Sequence, residues 1–127
     1  MTHPRHRPAV MAGLLVLVLV ITAAAQGGKF TGGYFKANDG TSDIGLDFDT
    51  TGAVNVYVDG QAFSKGTWES RADTLSFGPV IAPEGYGCTG SGRYLWSIAE
   101  NRLTFTLVAD DCEIRKQALP GLAWTKG

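Results

Sequence analysis

"GTWESRADTLSFG", residues 66–78, has a Trp, a polar gap and then Leu-x-Phe. "YLWSIAENRLTFT", residues 94–106, writes nearly the same pattern again. Trp68, Leu75 and Phe77 correspond to Trp96, Leu103 and Phe105, each 28 residues further on. Two alternating segments around a short polar gap make a β-hairpin, so the motif is one hairpin repeated. A loop over Ser70–Asp73, or over its central pair alone, sets Trp68 opposite Leu75 and Gly66 opposite Phe77. In the second copy Trp96 then faces Leu103, and Tyr94 faces Phe105. Strand side chains alternate, so all of these share one face. Phe77 is expected to lie over Gly66, covering a strand glycine that also permits a sharp bend.

The alternation extends outward from this core. "SDIGLDFDT" sets Ile44, Leu46 and Phe48 on one face and Asp43, Asp47 and Asp49 on the other. Val54, Val56 and Val58 line one side of "AVNVYVD", and Leu103, Phe105 and Leu107 one side of "LTFTLV". Thr50-Thr51-Gly52 is a turn, and Asp59-Gly60 is a two-residue hairpin turn of the primed type. Eight strands are legible: "GGYFKA", "DIGLDFD", "AVNVYVD", "QAFSKGTWE", "DTLSFG", "GRYLWSI", "RLTFTLV" and "GLAWTK". Their connections are short, which predicts an all-β fold: an eight-stranded up-and-down antiparallel barrel closed on itself. Closure would remove exposed edges. "DDCEIRKQALPG" predicts one short helix before the last strand, with Asp110 and Glu113 as a capping box and Pro120-Gly121 as its stop. The long irregular segment is 78–92.

The first residues belong to another class. Arg5 and Arg7 precede an apolar run from Ala9 to Ile21, and Ala23-Ala24-Ala25 supplies an A-x-A site. That is the layout of a secretory signal helix cleaved near Ala25. It predicts a signal peptide over 1–25, a barrel domain over 26–127, and a secreted, periplasmic or cell-envelope location. Retention of the segment as an anchor is the alternative. Contact with a membrane is expected only through such an uncleaved segment.

Removing the segment leaves nine basic residues against twelve acidic ones and no histidine. The chain has no basic stripe, so no nucleic-acid partner is expected. Cys88 and Cys112 are the two cysteines of an exported chain, and a disulfide is their expected state. It would close a loop of 25 residues, stabilising the fold by about 3.5 kcal/mol in the chain-entropy model.

Catalytic chemistry finds little support. Without histidine there is no Ser-His-Asp or Cys-His set and no His-based metal site. "DTTG" at 49–52 is a hairpin turn, not half of a paired-carboxylate site. The outward Asp43, Asp47 and Asp49 read as a solvated face, with no calcium loop around them. No Gly-rich phosphate loop opens a helix. The expectation is a protein that is not an enzyme and carries no metal or cofactor.

"GGY" at 32–34, "GTW" at 66–68, "DTLSF" at 73–77, "YLW" at 94–96, "RLTF" at 102–105 and "DDCEIR" at 110–115 together resemble a small exported bacterial lipocalin-like (calycin-type) barrel. In that family a Gly-x-Trp on the first strand stacks with an Arg near the barrel's end. Here the first strand has Gly32-Gly33-Tyr34, and Arg115 precedes the last strand, so the resemblance implies a Tyr34–Arg115 contact. It also implies a small apolar or amphipathic ligand. The expected binding residues are Tyr34, Trp96, Phe105 and Arg115, with the loop around Tyr86 as a lid. Trp68, Trp96 and Phe105 are also expected as core packing. The alternative partner is a protein: a protease-inhibiting module presenting an exposed segment or the arm Gln26–Thr31, or a structural envelope component.

Overall fold

The structure, a computed structural model, describes residues 29–127. The predicted signal segment lies outside the described residues. The strands are β1 (Gly33–Asn38), β2 (Asp43–Phe48), β3 (Ala53–Val58), β4 (Gln61–Arg71), β5 (Thr74–Phe77), β6 (Gly92–Ala99), β7 (Arg102–Asp110) and β8 (Trp124–Lys126), with helix α1 (Glu113–Gly121) between the last two. Each strand pairs antiparallel with its sequence neighbour, and β8 pairs with β1 to close the barrel. The expected meander, strand count and helix position are all present. Among the described residues no helix is long and apolar enough to cross a membrane.

Both repeated hairpins differ from expectation by two residues of register. Trp68 lies opposite Phe77 and Ser70 opposite Leu75; likewise Trp96 faces Phe105 and Ile98 faces Leu103. The reversals are the two-residue pairs Ala72-Asp73 and Glu100-Asn101. Ala72, Glu100 and Asn101 take positive φ (57°, 52° and 64°) although none is glycine. A slip of two preserves strand parity, so the same side chains still face inward. The slip does change what meets Gly66. Its cross-strand partner is Val54, and a Cβ there would lie 3.2 Å from the Pro79 carbonyl oxygen, not under Phe77. Aromatic cover of a strand glycine occurs instead at Gly45, where the Tyr34 ring occupies the space a Cβ would take.

The end of the barrel carrying the β2–β3, β4–β5 and β6–β7 turns is solid. Phe30, 2% exposed, enters it just ahead of β1. Its ring centroid lies 5.0 Å from Phe48, 5.4 Å from Trp68 and 5.2 Å from Trp96, all edge-to-face. Such aromatic clusters combine large apolar burial with favourable quadrupole geometry. The two indoles also donate to turn carbonyls, Trp68 to Asp49 at 2.9 Å and Trp96 to Ala72 at 3.4 Å. Phe30 is therefore a plug, and the last residues of the expected free arm Gln26–Thr31 are anchored by it. Ser70 Oγ is buried nearby on the inward face with no partner.

At the opposite end β8 is too short to complete the wall. It pairs with β7 only at Arg102 and Leu103, and α1 packs against β7 above that point. Leu107, expected inside, is consequently 40% exposed. Helix α1 has Cys112 as its N-cap, without a side-chain cap bond, and ends at Pro120-Gly121 as expected, Pro120 lying within its last turn. The expected capping box is absent. Asp110 instead accepts from Cys112 N at 2.8 Å and from Arg115, while Glu113 pairs with Lys116 at 3.0 Å. The disulfide Cys88–Cys112 is formed, with Cα atoms 5.6 Å apart, and ties the β5–β6 loop to α1.

Candidate functional site

The α1 end of the barrel is hollow. A cavity of about 550 Å³ lies between the inward faces of β2–β4 and the inner side of α1. Leu46, Val54 and Val56 form one wall, Ala118 and Leu119 of α1 face them, and Trp124 and Phe77 lie deeper. The valines are there because "AVNVYVD" alternates, and α1 lines the opposing side with the small Ala118 beside Leu119, Ile114 and Gln117. The volume falls within the range of small-molecule sites, as does an apolar lining with few polar groups.

A β-bulge shapes the mouth. Val56 pairs with Ser64 but Tyr57 with Ala62, leaving Phe63 as the extra residue on β4. Bulges re-aim side chains, and here both Phe63 and Ser64 line the cavity. Phe63 packs edge-on to Tyr86 with centroids 5.2 Å apart. Tyr86 sits on the loop that folds over β4 through the Lys65–Ile81 and Val80–Cys88 bridges. Gly66 is needed at that crossing, because a side chain there would press on Pro79 and Val80.

One polar knot borders this apolar space. Arg115, reaching in from α1, binds Asp110 through both Nε (2.7 Å) and Nη2 (2.8 Å). Its Nη1 donates to the Gly78 carbonyl at 2.8 Å and Nη2 to Gly90 at 3.4 Å. The guanidinium also sits 5.7 Å from the Phe77 ring centroid. Tyr94 Oη donates to Asp110 from β6. The ion pair is almost fully removed from water, with side chains 8% and 0% exposed. Burial alone would push the Asp110 carboxyl up, but hydrogen bonds from Arg115, Tyr94 and Cys112 N outweigh it and hold the pKa low. Burial, then the Asp110 hydrogen bond and charge, push the Tyr94 phenol up. The knot joins β6, β7, α1 and the long loop, so it frames the cavity without offering a reactive group.

The expected binding residues therefore separate. Arg115 and Tyr86 line the cavity, Tyr86 at its rim. Trp96 and Phe105 lie in the barrel's packed interior, Trp96 against the Phe30 plug and Phe105 against Phe77 and Tyr94. Tyr34 faces outward, 41% exposed, because Phe35 and Ala37 hold the inward positions of β1. Its ring covers Gly45 and Gly127, and the guanidinium of Arg115 is held by Asp110, Gly78 and Gly90. Phe63 was hidden because a bulge leaves no trace in period-2 alternation. Phe30 was hidden because it precedes the first alternating run.

No protein-family model, curated protein or solved structure matches the chain.

Proposed function

We propose that this protein is an exported, non-enzymatic, lipocalin-like barrel that holds a small apolar or amphipathic molecule in the cavity beneath α1. The observation that carries this is the 550 Å³ space walled by Leu46, Val54 and Val56 in a barrel otherwise packed with aromatic rings. An apolar void of that size is costly to keep empty, and it opens beside Phe63 of β4 and Tyr86, which sits on the loop that a disulfide holds in place. The disulfide supports an oxidising compartment.

Nile red, an uncharged probe, tests this directly. Saturable one-to-one binding with blue-shifted emission is expected, lost in Val56→Trp while the thermal unfolding transition persists. Absence of saturable binding to the wild-type protein would remove the carrier function.

A second function draws on Ile81, 79% exposed on the disulfide-tied loop. A constrained apolar loop is a surface that a protein partner, such as a protease, could engage. Ile81→Asp abolishing capture of that partner while leaving Nile red binding intact would favour it.

A further inference from the structure

We infer that the cavity selects uncharged molecules and rejects carboxylates of the same shape. This rests on the cavity being the binding site, as proposed above, and narrows the class of its ligand.

The basis is the state of the charged groups around the space. Among the described residues, those lining the cavity include two charged side chains, Asp39 and Arg115, and no lysine. Arg115 would be the natural anchor for an acid, since a guanidinium recognises carboxylate by two parallel N–H bonds. That fork is already taken, by Asp110. Four of its five N–H groups have protein acceptors, counting the Gly78 and Gly90 carbonyls. Asp110 is equally saturated: one oxygen accepts from Arg115 Nε and Tyr94, the other from Arg115 Nη2 and Cys112 N. The knot therefore presents a neutral surface to the cavity. A second carboxylate beside it would have to compete with a buried, covalently tethered one.

Asp39 acts in the same direction. It lies at the mouth, where its Oδ1 accepts the backbone N–H groups of Thr41 at 2.8 Å and Ser42 at 2.7 Å. These bonds keep it ionised, the Ser42 bond contributing most. Its charge repels an entering anion. The rest of the lining is mostly aliphatic or aromatic, its polar side chains Ser64, Thr67 and Gln117 carry no charge, and burying a carboxylate there without a cationic partner is unfavourable. An uncharged chain meets none of these penalties.

A matched pair of ligands provides the test. Competition against bound Nile red would be measured with 1-decanol and with decanoate at pH 7.5 on the intact protein. The expected result is displacement by 1-decanol with at least about tenfold tighter apparent affinity than decanoate, reflecting the unpaired buried charge. Equal or tighter binding of decanoate would overturn the selectivity while leaving the cavity as the binding site. Saturable Nile red binding that neither compound displaces would also overturn it. Failure of Nile red itself to bind would remove the cavity function and the selectivity together.

Discussion

The two ends of this barrel solve the same problem by different means. One end is filled by rings: Phe30, Phe48, Trp68 and Trp96 meet edge-to-face and leave little room. The other end holds the cavity and is held at its rim instead. There a disulfide, a buried Arg115–Asp110 pair and a helix substitute for the missing length of β8. Packing alone closes a tube but leaves no site. A rim fixed by covalent and ionic ties can stay rigid around an open volume. Apolar packing answers to neither reductant nor acid, whereas the rim answers to both.

The largest effect is expected from breaking the solid end. Phe30→Ala removes a buried ring touching four others and should cost about 3–5 kcal/mol in denaturant unfolding. The loss should be the same with or without reductant.

Removing the covalent tie with Cys88→Ala and Cys112→Ala should cost about 3.5 kcal/mol or somewhat less. Hydrogen exchange should quicken in residues 78–92 and in α1 while β2 and β3 near Phe48 stay protected. Uniform quickening would show that the two ends are not independent.

Acid should act on the rim through Asp110, whose folded pKa is depressed. A depressed carboxyl contributes stability that is present above its unfolded pKa of about 3.9 and lost as pH falls through the lower folded value. Tyr94 mirrors this at high pH. Its folded pKa is raised, so its contribution is present below about pH 10 and declines as pH rises above that. Unfolding midpoints across pH should fall on both flanks, and Asp110→Asn should flatten the acid flank.

The smallest effect concerns Ser70, whose hydroxyl is buried without a partner on the strand position opposite Leu75. Ser70→Ala should be neutral or stabilising by up to about 1 kcal/mol, since an unsatisfied donor is removed.

Much of the frame was legible in the sequence because period-2 alternation reports parity directly. The inward sets Ile44/Leu46/Phe48 and Val54/Val56/Val58, the Asp59-Gly60 turn and the cysteine pairing all follow from residue type and spacing. Register was not legible. The expected register and the observed one, two residues apart, bury the same rings, and the turns that decide between them use Ala72, Glu100 and Asn101 at positive φ without a glycine to mark them. The cavity was legible only in part. Tyr86 and Arg115 could be found from loop position and resemblance. The hollow itself depends on what stands opposite the valines, which no single strand records. Arg115 shows the limit of analogy: the resemblance paired it with Tyr34, and the structure gives it Asp110.

The three tryptophans allow the central contrast to be measured in one experiment. Trp124 lines the cavity, with its indole N–H 2.9 Å from the Leu119 carbonyl of α1, while Trp68 and Trp96 pack on the Phe30 plug. In a ¹H–¹⁵N spectrum, titration with 1-decanol should shift the Trp124 indole signal and leave those of Trp68 and Trp96 in place. Shifts at Trp68 or Trp96 with Trp124 unmoved, or no shift at any of the three, would contradict a barrel that is solid at one end and receptive at the other.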